Sequence, residues 1–364
     1  MLVGLTVRLV LQSMTQNRGA VYCKMSDAGT NSVAYLVIGE EEQGQRLDNY
    51  LLRYCKGVPK SHVYRVLRSG EVRVNKKRCD ATYRVQLGDS IRLPPMRLAE
   101  RRVSEVEEAA QARVQLPLVY EDDALLAIDK PAGIAVHGGS GVSFGVIESL
   151  RRQRPLAKFL ELAHRLDRET SGLLLVGKKR SALNALHDMF REAGQVADKR
   201  YLMLVRGRWM NPLQQVKLPL FKYLLESGER RVRVDPQGKA SHTVFRLVAR
   251  WQRFSLLEGQ LKTGRTHQLR VHLAHLGYPI LGDEKYGDFA LNKSLQKEGL
   301  KRMALHARSM DFPHPLEARR LHLVAPLPEA LRQFITHLDA REPRDYSADN
   351  LAELLAGPEL QPPA

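Results

Sequence analysis

The sequence predicts an α+β protein in which a small N-terminal module precedes a larger domain. Two segments between residues 44 and 95 carry apolar residues at the spacing of one helix face, and a short alternating stretch typical of a β-strand follows them. From residue 116 onwards, apolar runs typical of strands are mixed with helical patterns. A chain of 364 residues is long enough for two such domains.

Two helices and a small sheet are predicted within 44–95. The first helix has apolar residues at positions 47, 50, 51 and 54, and the second has Val63, Val66 and Leu67. Gly70 follows the second helix, where a glycine suits a helix C-cap. The stretch EVRVN alternates as a strand, and YRVQLGDSIRLP is expected to add two more short strands.

The rest of the chain divides by composition. The N-terminal stretch fits neither a secretory signal nor a regular element, and the last stretch is rich in Asp and Glu and ends in ELQPPA. We therefore expect a disordered leader (1–43), the small module (44–95), a charged linker (96–115), a larger domain (116–335) and a disordered acidic tail (336–364).

The positive charge of the chain is concentrated in the small module. Lys and Arg number 57 against 40 Asp and Glu, which gives a formal net charge of +17. Between residues 46 and 92 there are 12 Lys and Arg against 4 Asp and Glu, so nearly half of the excess lies in under a seventh of the chain. A merely soluble basic enzyme would spread this charge, whereas concentration on one module is typical of a surface that binds a polyanion.

Four bases are the best candidates for contacts with phosphates. Arg65 and Arg68 lie on the second predicted helix, and Lys76 and Lys77 lie on the turn after the strand. Bases along one helix and the adjoining turn suit a surface that follows a nucleic-acid backbone. The alternative is a purely structural basic module.

Several classes of protein and site are excluded. No run of about 18 apolar residues is present, so a membrane-spanning helix is not expected. The three cysteines (Cys23, Cys55 and Cys79) are odd in number and lack metal-like spacing, which favours a cytoplasmic protein without disulfides or a zinc site. The glycines of HGGSGVSFG match neither a dinucleotide fingerprint nor a P-loop, and His272 with His275 lacks a third metal ligand nearby.

Asp167 is the strongest candidate for chemistry. It lies in ELAHRLDRETSGLLLVGKK, in an irregular segment just before the buried strand that GLLLVGKK predicts. Loops anchored on rigid strands often hold catalytic groups, and a carboxylate between Arg165 and Arg168 suits a nucleophile or a base. An ordinary ion pair is the alternative.

A second cluster of polar residues lies in GQLKTGRTHQLRVHLAHLGYPILGDEKYG. We expect Thr266 to cap a helix that runs to Gly277, and this helix carries Arg265, His267 and Arg270 around its first turns. Arg265 and His267 are candidates for binding a substrate or RNA.

Four separated motifs identify a family. HRLDRETSG and TGRTHQLRVHLAHLGYPILGD, together with DKPAG and KRYLMLVRG, resemble the pseudouridine synthases that modify ribosomal large-subunit RNA and tRNA. The module at 44–95 resembles the S4 RNA-binding domain. The resemblance covers about 43–328 and implies a catalytic domain with a central mixed, mostly antiparallel sheet flanked by helices.

The resemblance also implies roles for individual residues. Asp167 would be the catalytic aspartate, Arg270 would pair with it, and Tyr201 would pack on the target base. Arg165 would help to fill the space left by an extruded nucleotide. The implied reaction isomerises uridines of large-subunit (23S) ribosomal RNA without a metal or any other cofactor, and we expect a monomer.

Two other functions remain open from the sequence. A non-catalytic RNA-binding or ribosome-assembly factor would keep the basic module and have a decayed pocket. A hydrolase of glycosidic bonds would need a second acid beside Asp167 to protonate the leaving group, and Glu169 is the one other acid within HRLDRETSG.

Overall fold

The computed structural model describes residues 33–40, 42–55, 58–96, 114–138, 144–191 and 197–356. The chain divides into two compact units, Met1–Val103 and Ser104–Ala364. Most of the predicted leader, nearly all of the predicted linker and the last eight residues of the predicted tail lie outside the described residues.

The small unit has two helices and a three-stranded sheet. Its elements are β1 (Ala34–Val37), α1 (Leu47–Tyr54), α2 (Lys60–Ser69), β2 (Arg73–Val74) and β3 (Ser90–Leu93). The strand order is β1-β3-β2, with both pairs antiparallel. Both predicted helices are confirmed: α2 buries Val63, Val66 and Leu67, and Gly70 caps it with the left-handed φ of 77° that favours glycine.

Two details of the small unit differ from the prediction. Strand β1 pairs with β3, so the unit begins before residue 44 and residues 34–37 are not part of a disordered leader. Strand β1 is only four residues long, and its pairing partner β3 lies at the opposite end of the module. Of the two strands expected in YRVQLGDSIRLP, only the second forms; the first makes a single bridge between Arg46 and Arg84.

The large unit contains both strands and helices, with six consecutive strands in its middle. Its elements are β4 (Leu118–Glu121), β5 (Leu125–Lys130), α3 (Val146–Gln153), β6 (Glu161–Leu162), β7 (Ser171–Gly177), α4 (Arg180–Arg191), β8 (Asp198–Arg206), β9 (Leu213–Lys217), β10 (Leu220–Leu224), β11 (Arg230–Val234), β12 (His242–Arg250), β13 (Phe254–Leu261), α5 (Gln268–His275), α6 (Phe289–Lys297), β14 (Leu305–Pro313), β15 (Arg320–Val324), α7 (Glu329–Arg341), β16 (Tyr346–Ser347) and α8 (Leu351–Ala356). None of the helices within the described residues has the length and hydropathy needed to cross a membrane.

One mixed sheet organises this unit. Its order is β16-β12-β13-β8-β14-β7-β5-β4, with β9, β15 and β6 added on β12, β14 and β7. Every described pair is antiparallel except β14 with β7. Leu126 and Ile128 of β5 pack into the core with α3 and α7, whereas Leu125 and Ala127 pack into the core with α4. Helices therefore flank both faces, and the expected α+β class is confirmed.

The predicted disordered tail is wrong for residues 336–356. Helix α7 continues to Arg341 with Leu338 fully buried, and β16 pairs with β12. The acids of this segment are bonded to distant partners: Asp339 accepts from the indole N–H of Trp251 at 3.0 Å, and Asp345 pairs with Arg250 at 2.6 Å. The acidic residues of this segment therefore bind side chains of the large unit, and their abundance does not indicate a solvated tail.

Candidate active site

A cleft of about 440 Å³ opens in the large unit. It lies between the segment before β7, strand β8 and the loop that leads into α5. Its lining residues include six of the predicted site residues: Arg165, Asp167, Tyr201, Arg265, His267 and Arg270. The volume lies within the range of about 300–1,000 Å³ that is usual for sites of small ligands.

The backbone on the C-terminal side of Asp167 is fixed by a close strand approach. Thr170 N–H donates to the carbonyl of Asp167 at 3.2 Å and makes a turn. Ser171 and Gly172 then form the parallel pairing of β7 with β14; Gly172 has a φ of 108°, and a Cβ there would lie 2.2 Å from the carbonyl oxygen of Ala307. A side chain at Gly172 would push the two strands apart, so the glycine holds the end of the Asp167 segment against the sheet.

A buried lysine ties the Asp167 segment to the loop after β5. Lys130 Nζ donates to the carbonyls of Pro131, Ile134 and Arg168 at 2.8, 2.9 and 3.1 Å. Gly133 N–H also donates to the Arg168 carbonyl, at 2.9 Å. Burial lowers the pKa of Lys130 to about 7, and the three carbonyls satisfy its three donors. The residue after Asp167 is therefore held from two sides.

Arg270 joins Asp167 to a second carboxylate. Its Nη1 donates to Asp167 Oδ2 at 2.8 Å, while Nε and Nη2 donate to the two oxygens of Asp283 at 2.7 and 2.8 Å. Burial acts to lower the pKa of Arg270, but the hydrogen bonds and charge of Asp283, and then those of Asp167, outweigh it and raise the pKa above its usual value. The guanidinium is 6% exposed and is held by a bidentate contact, so it fixes the position of Asp167.

The other oxygen of Asp167 faces a histidine at a longer distance. His267 Nε2 lies 3.7 Å from Asp167 Oδ1, and His267 Nδ1 lies 2.8 Å from the hydroxyl of Tyr286. Burial is the largest influence on His267 and lowers its pKa to about 4, although the charge of Asp167 opposes this. Within the described residues, no group lies within hydrogen-bond distance of Oδ1.

Tyr201 lies on β8 and faces the cleft, with 8% of its surface exposed. Burial, followed by the charge of Asp167, raises the pKa of its phenol. Arg165 and Arg265 line the cleft as exposed side chains, and Arg265 Nε donates to the Ala240 carbonyl at 3.1 Å. The structure therefore brings all six predicted residues of this unit to one cleft.

The start of the helix at the cleft differs from the prediction. Helix α5 begins at Gln268, and no side-chain cap is formed; His267 precedes it with a φ of 54°. The expected cap by Thr266 is therefore wrong, and the side chain of Gln268 instead binds the loop before the helix, where its Oε1 accepts from the backbone N–H of Arg265 at 3.0 Å. The helix ends at His275, two residues before Gly277.

The two histidines at i, i+3 on α5 have different surroundings. His272 is buried, and its nitrogens lie 2.8 Å from Ser241 Oγ and 3.1 Å from Thr243 Oγ1. His275 is exposed. The hydroxyls around His272 give it a packing role in the polar interior between α5 and β12.

The four candidate bases of the small unit are all exposed. Arg65 lies 3.1 Å from His62 Nδ1, and Arg68 Nε donates to the Tyr64 carbonyl at 3.3 Å. The turn that carries Lys76 and Lys77 has positive φ at its two central residues and is closed by paired 2.9 Å hydrogen bonds between positions 74 and 77. This is the geometry of a tight hairpin turn, which projects both lysines to solvent.

Four residues at or behind the cleft were not identified from the sequence as functional: Lys130, Lys199, Asp283 and Tyr286. All four lie inside the quoted motifs, but the motifs alone do not indicate which side chains they contact. Their roles depend on contacts that the chain makes only once it is folded. Lys199, for example, lines the cleft with its Nζ 3.5 Å from the centre of the Phe190 ring, and burial lowers its pKa to about 8.

Comparison with known proteins places the chain in a family. The profile "RNA pseudouridylate synthase" matches residues 124–275, and the S4 domain profile matches residues 45–91. Curated relatives named "Ribosomal large subunit pseudouridine synthase C" include those of Salmonella typhimurium (50% identical, covering 84% of this chain and 96% of the relative) and Escherichia coli (49%, covering 85% and 98%).

Solved structures agree with this placement. "Human RNA Pseudouridylate Synthase Domain Containing 1" superposes with a TM-score of 0.53 at 25% identity, covering 67% of this chain and 97% of that one. "Human RNA Pseudouridylate Synthase Domain Containing 4" gives the same TM-score at 26% identity, covering 67% and 98%. With an S4 domain before its catalytic domain, the chain belongs to the RNA pseudouridylate synthase family and is an RNA pseudouridine synthase.

Proposed function

We propose that this enzyme converts specific uridines of large-subunit (23S) ribosomal RNA into pseudouridine, as a cytoplasmic monomer that needs no cofactor. The observation that carries the proposal is Asp167, which lines the cleft with one oxygen bound to Arg270 and the other without a hydrogen bond from the described residues. The names of the curated relatives support large-subunit RNA as the substrate class. The four exposed bases of the S4 domain suit contacts with its phosphates.

The proposed reaction is an isomerisation within one nucleotide. The N1–C1′ bond of uridine breaks, the uracil turns in the cleft, and C5 bonds to C1′. C5 then loses its proton and N1 gains one, so atoms and electrons balance. Nothing is oxidised and no group is imported, so the chemistry requires neither a redox cofactor nor a group donor.

Asp167 is the proposed catalytic residue, and its Oδ1 is the oxygen that acts. Oδ2 is engaged by Arg270, whereas Oδ1 has no hydrogen bond from the described residues. This oxygen can attack C1′, stabilise an oxocarbenium-like C1′, or take a proton from the sugar. In each case Arg270 keeps the carboxylate in one orientation, because moving it would break the bidentate contact with Asp283.

The target uridine must leave its stack before it can enter the cleft. Extrusion of a nucleotide costs a few kcal/mol, and stacking on an aromatic ring returns about 1–3 kcal/mol. Tyr201 is the proposed stacking surface because it faces the cleft near Asp167. Arg165 is exposed at the same cleft and is the proposed wedge in the vacated stack, while Arg265 is a proposed phosphate contact.

Pseudouridine mapping of large-subunit ribosomal RNA from cells that lack this protein tests the proposal. We expect defined pseudouridines to disappear, and to return with the wild-type gene but not with Asp167→Asn. An unchanged map would contradict the proposed substrate. Recovery by Asp167→Asn would favour a non-catalytic assembly factor, and release of free uracil by the purified enzyme would favour a glycosidic hydrolase.

A further inference from the structure

Tyr286 is connected to Asp167 by two routes. Its hydroxyl lies 2.8 Å from His267 Nδ1, and the other nitrogen of His267 faces Asp167 Oδ1. Its backbone N–H donates to Asp283 Oδ1 at 3.1 Å, and Asp283 holds the Arg270 that binds Asp167 Oδ2. Tyr286 therefore forms hydrogen bonds with a neighbour of each oxygen of Asp167: with His267, which faces Oδ1, and with Asp283, which holds the Arg270 bound to Oδ2.

The direction of the hydrogen bond between Tyr286 and His267 follows from a third group. The backbone N–H of Val232, on β11, points to the Tyr286 hydroxyl at 3.0 Å, and a backbone N–H can only donate. The phenol oxygen therefore accepts from Val232, and within the described residues His267 Nδ1 is the one group placed to accept the phenol proton. A neutral imidazole that accepts at Nδ1 carries its proton on Nε2.

The charges around His267 favour the same assignment. The charges of Asp167 and Asp283 act to raise the pKa of His267, and those of Arg270 and Lys285 act to lower it. Burial is the largest influence and keeps the imidazole neutral, with its pKa lowered to about 4. If Nε2 carried a lone pair, it would face a carboxylate oxygen; the Nε2–H tautomer removes that repulsion.

We propose that Tyr286 is a positioning residue for catalysis: its hydroxyl holds His267 in the Nε2–H tautomer, so that the imidazole presents a proton to Asp167 Oδ1. The present distance of 3.7 Å leaves Oδ1 free for the ribose, and a small closure on substrate binding would make a hydrogen bond. His267, expected from the sequence to contact RNA, then acts on the carboxylate instead. This inference rests on the proposed catalytic role of Asp167.

The tautomer can be measured without any substrate. Long-range ¹⁵N–¹H correlation spectra of the full-length, histidine-labelled enzyme distinguish the two neutral forms, and the signal missing from His267→Gln assigns His267 among the 12 histidines. We expect the Nε2–H form in the wild type and a shift towards Nδ1–H in Tyr286→Phe, which keeps the ring. A wild-type Nδ1–H form, or an unchanged spectrum in Tyr286→Phe, would overturn the proposal.

Kinetic assays test whether the hydrogen bond from Tyr286 to His267 affects catalysis. Tyr286→Phe should lower kcat about tenfold, which is the effect of losing one ordinary hydrogen bond, with KM for the RNA unchanged. In a His267→Gln background, where no tautomer exists, Tyr286→Phe should cause no further loss; additive losses would contradict the proposal. Tyr278→Phe is the matched control, because it removes a hydroxyl that donates to the Arg208 carbonyl at 3.4 Å and does not line the cleft.

The two proposals fail differently. If Asp167→Asn retains activity, the proposed function of Asp167 is wrong whatever the tautomer of His267. If Asp167→Asn is inactive but the tautomer does not depend on Tyr286, the function stands and the positioning role is wrong.

Discussion

The two basic regions of the molecule hold their charges in opposite ways. In the cleft, Arg270 is buried and its guanidinium is shared between two carboxylates. On the S4 domain, Arg65, Arg68, Lys76 and Lys77 are exposed, and no carboxylate in the described part of the chain pairs with any of them. A buried, paired cation fixes geometry because moving it leaves charges unpaired, whereas an exposed cation is available to a phosphate.

This comparison predicts that chemistry and RNA binding can be separated by mutation. The largest effect is expected for Asp167→Asn, which removes the acting oxygen. Pseudouridine formation should fall by about 10⁴-fold or more, as for the loss of other catalytic groups. The Kd for RNA should not change, because the S4 domain retains its bases. Tritium release from C5-labelled uridine RNA and filter binding measure the two; an active variant would exclude the assignment.

Arg270→Met should affect both stability and rate. It leaves Asp283, which is 1% exposed, without its bidentate partner, and breaking a buried pair costs about 3–5 kcal/mol in the free energy of unfolding. The loss of orientation at Asp167 should also lower the rate about 10²-fold. Urea denaturation and single-turnover assays check these values.

Arg200→Met is the matched control for Arg270→Met. Arg200 also pairs with two carboxylates, Asp198 and Glu258, but its side chain is 40% exposed and it does not line the cleft. We expect a loss of at most about 1 kcal/mol and an unchanged rate. Equal losses in the two variants would mean that burial does not set the difference between the two regions.

Replacing the four bases of the S4 domain with alanine should weaken affinity and leave chemistry intact. Each lost phosphate contact reduces the slope of log K against log salt by about 0.7–0.9, so the slope should fall by about 3. The single-turnover rate at saturating RNA should not change. Alanine at the exposed Lys158, Lys293, Lys297 and Lys301 removes the same charge elsewhere and should leave the slope nearly unaltered.

The smallest effect is expected for Tyr201→Phe. The ring remains available for stacking, so RNA affinity should be unchanged, whereas Tyr201→Ala should lose about 1–3 kcal/mol of binding to RNA that contains the target uridine. Fluorescence titrations provide the comparison. Equal affinities of the two variants would show that the target base does not stack on this ring.

The parts of the fold that were predicted correctly rest on local patterns. Helix α2 follows from Val63, Val66 and Leu67 with a glycine cap, and β7 follows from an uninterrupted apolar run. Strand β1 was missed because its pairing with β3 is not visible in its own four residues. The acidic tail was misjudged because the partners of Asp339 and Asp345, Trp251 and Arg250, lie far away in the sequence.

The same limit applies to the site. The motif containing Asp167 stands out because a carboxylate precedes a buried strand, and the resemblance to the family named Arg270 as its partner. Nothing in the spacing of LGDEKYG indicates that Asp283 binds Arg270 or that the Tyr286 hydroxyl forms a hydrogen bond with His267. These contacts depend on the packing of α5 against the loop that follows it, and such packing is a property of the folded chain.

The most direct test of the central claim is the structure of the Asp167→Asn variant bound to a fragment of large-subunit ribosomal RNA that contains a target uridine. The account predicts an extruded uridine with its base against Tyr201. C1′ should lie about 3–3.5 Å from the atom of the substituted side chain that replaces Oδ1. A uridine that remains stacked in the RNA, or that binds away from this cleft, would contradict it.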